Sequence, residues 1–70
     1  MKTVDLHGVK HRDVLNKLLL CINEWNTPFI VITGNSTEMK KEVIKAVGQF
    51  DLLARDSINN SGRMIVYERG

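Results

Sequence analysis

The residues with the most chemical potential in this chain stand together near its start, in Thr3-Val4-Asp5-Leu6-His7-Gly8. Alternation of Val4 and Leu6 with Asp5 and His7 reads as a strand over residues 3–7, closed by a glycine turn. On such a strand Asp5 and His7 project from one face, side by side, where strand gives way to loop. The pair suits general acid–base chemistry: imidazole titrates near neutral pH, and a neighbouring carboxylate orients it and stabilises its charged form. A surface Asp and His beside a buried Val and Leu would look the same, so the pair is a candidate site rather than a signature.

Basic residues follow at once. Lys10, His11 and Arg12 are consecutive and lead into a helix of roughly Arg12 to Trp25. Its apolar residues Val14, Leu18, Cys21, Ile22 and Trp25 recur at i, i+4, i+7, i+8 and i+11, one helical stripe that Leu15, Leu19 and Leu20 widen. Cys21 lies on this stripe and reads as a small core residue, not a nucleophile. Helix starts favour a short polar cap and acidic side chains, and only Asp13 conforms. Each exposed cation at the positive end of the helix dipole costs about a few tenths of a kcal/mol. A bound anion would offset that cost, since helix N–H groups with basic side chains make a phosphate site. Plain solvated charge is the competing reading.

Asn26-Thr27-Pro28 ends the helix. Phe29-Ile30-Val31-Ile32 is a continuous apolar run with β-branched residues, which predicts a central strand buried on both faces. It exits into Thr33-Gly34-Asn35-Ser36-Thr37, a loop rich in capping residues. A second helix is expected from Ser36 or Thr37 to Gln49, with Met39, Val43, Ala46, Val47 and Phe50 as its stripe, Glu38 in its first turn and Gly48 at its fraying end. Residues 52–58 form a weaker strand pattern, Asn59-Asn60-Ser61-Gly62 reads as a turn, and Met64-Ile65-Val66-Tyr67 as a last strand.

The order is therefore β-α-β-α-β-β, an α/β chain (an α+β two-layer sandwich) with a mixed four-stranded sheet and two helices on one face. Strand–helix–strand units run parallel, which brings the ends of the first three strands to one edge; the closing turn makes the fourth antiparallel. Ligands of open α/β sheets bind beyond those strand ends. Three loops meet there: His7 to Lys10, Thr33 to Ser36, and Asn59 to Arg63. They offer an imidazole, a carboxylate, hydroxyls, amides, cations and backbone N–H groups, a set that suits a phosphodiester. The candidate phosphate contacts are Gly8, Lys10, His11, Arg12, Thr33, Gly34, Asn35, Ser36, Asn60 and Arg63. Gly34-Asn35-Ser36 allows close backbone approach, but it is neither a P-loop nor a dinucleotide fingerprint.

Composition narrows the classes. Seventy residues make one domain, residues 1–70, near the lower limit for a chain folding on one core. A net charge of +2 is too small to argue for a polyanion by itself. The single cysteine allows neither an internal disulfide nor a cysteine-based zinc site, and fits a reducing cytosol. No apolar run has the length of a membrane span, and Met1 leads directly into a strand without a signal-peptide core. The expected location is the cytoplasm.

The segment Val4-Asp5-Leu6-His7-Gly8, an amphipathic helix, an apolar strand ending in Thr33-Gly34, a second helix and a closing hairpin together resemble the small MutS-related (Smr) domain family. The resemblance spans nearly the whole chain, and the DLHG motif at Asp5 to Gly8 is its most specific part. Two departures stand out: family members carry Gly-x-Gly where this chain has Gly34-Asn35-Ser36, and Lys10 replaces the polar cap of the first helix. The chain is also shorter than many members and lacks their N-terminal extension. The resemblance implies the fold of the C-terminal domain of translation initiation factor 3. It also implies a nuclease that cleaves RNA or nicks DNA, with Asp5, His7 and the glycine loop at its site.

In the resulting expectation His7 acts as acid or base on a ribose 2′-OH or on water, and Asp5 orients it. Gly34 and the N–H groups after it, with Lys10 or Arg12, stabilise phosphate charge. His11 is the second choice of acid. No metal ligands or cofactor are assigned, with magnesium possible if DNA is the substrate. Asp56 could join Asp5 if its strand is in register. The competing function is a module that binds structured RNA or branched DNA without cutting it, and a protein-interaction module ranks third. Trp25 and Phe29 are expected in the core, leaving Tyr67 as the one plausible platform for base stacking. Contact with phosphates predicts binding that weakens as salt rises; a protein-only module would bind no nucleic acid.

Overall fold

The computed structural model describes residues 1–70 as β1 (Thr3–Asp5), α1 (His11–Glu24), β2 (Phe29–Ile32), α2 (Thr37–Gly48), β3 (Leu52–Ser57) and β4 (Asn60–Glu68). This is the β-α-β-α-β-β order of an α+β fold, with two helices and a mixed four-stranded sheet. The strand order is β1-β2-β4-β3. β1 and β2 are parallel, and β4 is antiparallel to both β2 and β3. β1, β2 and β3 thus point the same way and end at one edge, as the sequence implies. β3 does not pair with β2, however, because β4 lies between them. The physical reason is composition: β4 carries Met64-Ile65-Val66-Tyr67 and fits a central place, whereas Arg55 and Asp56 of β3 suit an exposed edge.

The core joins one face of the sheet to the two helical stripes. Leu6, Val14, Leu18, Phe29, Val31, Val43, Val47 and Val66 are fully enclosed, and Met39, Met64, Ala46 and Cys21 complete the cluster. Trp25 is half-buried and packs edge-on against Phe29, with ring centroids 5.6 Å apart. Ile22 also packs against this cluster, but Leu15, Leu20 and Phe50 lie on the exposed side. The stripes are narrower than the sequence suggests, since two helices on a small sheet leave their outer flanks to solvent.

β2 is enclosed on one face only. Phe29 and Val31 face the helices and are buried, while Ile30 and Ile32 point the other way and are half-buried. Both helices cover the same side of the sheet, so the opposite side has no second layer. α2 ends at Gly48, but the chain reverses at Asp51, with φ +60°, rather than at that glycine. β4 is also longer than its apolar run, and the hairpin turn falls at Ile58-Asn59 instead of over residues 59–62. Asn59 takes the left-handed conformation that the tight turn requires, with φ +66°. No helix is long and apolar enough to cross a membrane.

Burial raises the pKa of the Cys21 thiol above its ordinary value of 9.0, Glu24 raises it further, and Lys17 partly opposes them. The folded chain therefore holds this proton more tightly than the unfolded chain. Any stability that follows is complete below the unfolded value and lost as pH rises through the folded one. Urea unfolding at increasing pH should show the protein losing stability relative to Cys21→Ala above pH 9.0. A constant difference between the two would contradict the enclosed thiol.

Candidate functional site

β1 stops at Asp5, two residues earlier than its apolar–polar alternation implies. Leu6 N–H still donates to the Ile32 carbonyl at 2.9 Å, and the chain then turns. The turn is built by Asp5, whose Oδ1 accepts the His7 backbone N–H at 2.8 Å, and by Val9 N–H, which donates to the Leu6 carbonyl at 2.9 Å. Gly8 accommodates a φ of +83°. His7 thus belongs to the turn and does not share a strand face with Asp5. The carboxylate holds the backbone that presents the imidazole; no ion pair joins it to the ring.

The second loop is fastened to the hairpin. Between Asp56 and Ser57 the pairing of β3 with β4 shifts, from Asp56↔Met64 to Ser57↔Asn60, so Ser61, Gly62 and Arg63 have no partners on β3. They turn to the end of β2 instead. Arg63 pairs with Ile32, and the Gly62 carbonyl accepts both the Thr33 and the Gly34 N–H at 3.0 Å. Ser61 Oγ donates to Asn35 Oδ1 at 3.0 Å, and Asn60 Oδ1 accepts the Gly62 N–H at 3.0 Å. Thr33 is the buried polar residue of the chain, at 3% exposure, and its hydroxyl donates to the Gly34 carbonyl at 2.9 Å. It fastens the loop internally, contrary to its expected contact with phosphate.

This arrangement brings the first two loops together. A Cβ placed on Gly34 would stand 3.8 Å from His7 Cδ2, so the imidazole lies over the glycine loop. Gly34 N–H is engaged by Gly62 and is not free for a ligand, which corrects its expected role as donor. Asn35 and Ser36 N–H, by contrast, find no acceptor within the chain. They precede α2, whose N-cap is Ser36: its Oγ accepts the Met39 N–H at 3.1 Å. Ser36 has φ −76°, an ordinary value, so the loop needs no second glycine there.

The cations divide. Lys10 occupies the N-cap position of α1 with no side-chain cap, and Arg63 stands exposed beside Ile32. Both border the loops. His11 and Arg12 instead line a shallow cleft of about 220 Å³ between the helices, with Leu15, Glu42, Lys45, Ala46 and Gln49. No residue of the three loops contributes to that cleft, so the structure does not group His11 and Arg12 with His7. Asp56 is likewise separated from Asp5. Asp56 pairs opposite the enclosed Met64 and forms an ion pair with Lys40 at 3.1 Å, whereas Asp5 pairs opposite Ile32 on the uncovered face, and β1 and β3 are the two outer strands.

Among the expected site residues, then, the structure gathers Asp5, His7, Gly8, Gly34, Asn35, Ser36, Asn60 and Arg63 at one edge, with Lys10 at its margin. Ser61 and Gly62, which the sequence places in the third loop but not among the phosphate contacts, supply the ties that hold this edge. An isolated glycine beside a strand pattern is the one available hint of an irregular strand.

Gly34 has φ +65°, a conformation that costs an L-residue roughly 1–2 kcal/mol, while the space beside it suffices for a methyl group. Gly34→Ala should therefore lower unfolding free energy by about 1–2 kcal/mol in urea titration, with its circular dichroism unchanged. A loss below a few tenths of a kcal/mol would show that the loop relaxes out of this conformation.

Compared with known protein families, with curated proteins and with solved structures, the chain matches none.

Proposed function

We propose that this protein is a nucleic-acid endonuclease of Smr type that cleaves RNA phosphodiester bonds at the edge where its three loops meet. The observation that carries the reading is the His7 imidazole lying over Gly34, beside the unpaired Asn35 and Ser36 N–H groups. These donors, at the start of a capped helix, suit a phosphate, and Lys10 and Arg63 add positive charge around it. In the reaction, His7 accepts the proton of a ribose 2′-OH. The 2′-oxygen attacks phosphorus, the bond to the 5′-oxygen breaks, and a proton returns to that oxygen. The products are a 2′,3′-cyclic phosphate and a 5′-hydroxyl. Asp5 acts as a positioning residue through the turn that carries His7. RNA is favoured over DNA because its own 2′-OH supplies the nucleophile. DNA nicking needs an activated water, and magnesium belongs to that form of the reading alone. The single cysteine, free and buried, suits a reducing cytoplasm as the place of action.

A second reading is a module that docks on structured RNA or branched DNA without cutting. It is favoured by the absence of a carboxylate–imidazole bond and by the shape of the loop edge, since the one cavity lies between the helices.

The test is incubation of the protein with end-labelled single-stranded RNA and branched DNA, each in EDTA and in magnesium, beside His7→Ala. RNA should be cut in EDTA, and His7→Ala should reduce the rate at least a hundredfold, the usual scale of one acid–base group. An undiminished rate in His7→Ala would refute the assignment. Binding without cutting by the unmodified protein would select the module reading.

A further inference from the structure

The side of the sheet that the helices leave bare is a surface with its own chemistry. Register places Ile30, Ile32, Ile65 and Leu53 on it, all half-buried, as a low apolar floor across three strands. Tyr67 rises from the same face, opposite Leu53, and the Arg55 guanidinium lies 5.5 Å from the centre of its ring. Arg63 stands on this face too, opposite Ile32, in the row that borders the Gly34 loop.

We infer that this face is a docking platform for a base or two of single-stranded RNA, continuous with the loop edge; the inference rests on the nucleic-acid reading given above. Three observations select this occupant. The first is charge: the face carries Arg55 and Arg63 against one carboxylate, Asp5 on its β1 margin, and arginines pair with phosphate and stack on bases with their planar guanidinium groups. The second is the aromatic geometry. Arg55 lies over one face of the Tyr67 ring in a cation–π contact that fixes it, so the layered pair offers planar groups for base stacking on an otherwise flat apolar sheet. The third is size. Four strands at a spacing of about 4.8 Å and rows over about four residues give a flat footprint of about 250 Å². That is far below the roughly 800 Å² per partner of a stable protein interface, but matches one or two nucleotides. A second copy of the chain would also bring the two arginine pairs toward each other. A strand held here runs past Arg63 to His7, which makes the preferred substrate single-stranded.

The platform is tested by fluorescence anisotropy with a short 2′-O-methyl single strand, which lacks the nucleophile, and with a duplex of the same sequence. Tyr67→Leu should bind the single strand roughly tenfold more weakly, the scale of one lost base stack, and the duplex unchanged. Tyr67→Phe should restore single-strand binding. Arg55→Gln, at an exposed position, should also weaken single-strand binding and lower its salt dependence; it carries the test if Tyr67→Leu does not fold. Single-strand affinity unchanged in both Tyr67→Leu and Arg55→Gln would overturn the platform and leave the loop-edge reading standing. No binding of either nucleic acid by the unmodified protein would overturn both. A dimer in sedimentation velocity that Tyr67→Leu dissociates would assign the face to self-association and overturn the platform.

Discussion

One carbonyl oxygen holds the candidate site together. Gly62 accepts the N–H groups of Thr33 and Gly34, and through them the loop after β2 is tied to the start of β4. This tie exists because three residues of β4 leave β3 and turn toward β2. Strand irregularities of this kind re-aim side chains next to functional sites. Here the consequence is that Gly34 is held in a left-handed conformation directly under His7, with Asn35 and Ser36 left to present free donors. Without it, the loop after β2 would be an unsupported connection and the imidazole would overlie nothing fixed.

The carboxylate and the imidazole divide their work differently from the arrangement a strand would impose. Asp5 uses its oxygen to close the turn, and the His7 ring is left free. The two helix starts also differ. α2 is capped by Ser36 and opens with Glu38, as helix termini prefer. α1 begins at Lys10 with no side-chain cap. In a chain whose other elements follow local rules, that exception falls beside the proposed site, where such exceptions are expected. His11 and Arg12, although adjacent to Lys10, are exposed and line the shallow cleft between the helices with Glu42 and Lys45.

Much of the fold is legible in the sequence because it is written in periodicity. Val14, Leu18 and Cys21, like Met39, Val43, Ala46 and Val47, announce their helices and their buried faces. The edge where the loops meet follows from the strand directions alone. The parts that were not legible depend on contacts distant in sequence. Nothing in Leu52 to Tyr67 states that β4 inserts between β2 and β3, or that Ser61 to Arg63 leave the hairpin ladder. Alternation implies a strand through His7, although an Asp side chain that can accept the N–H two residues on competes with strand pairing. The one-sided burial of Ile30 and Ile32 was also hidden, since an apolar run does not reveal whether a second layer exists.

The edge formed by the three loops is the proposed binding site for nucleic acid. The most direct measurement is an NMR titration of the isotope-labelled protein with a non-cleavable RNA strand, following every backbone amide. The largest shifts should fall on His7, Gly8, Lys10 and on Gly34 through Ser36, with Asn60 to Arg63 moving in step. Shifts centred instead on Leu15, Glu42, Lys45 and Gln49 would move the site to the interhelical cleft, and amides that do not respond at any RNA concentration would contradict the claim altogether.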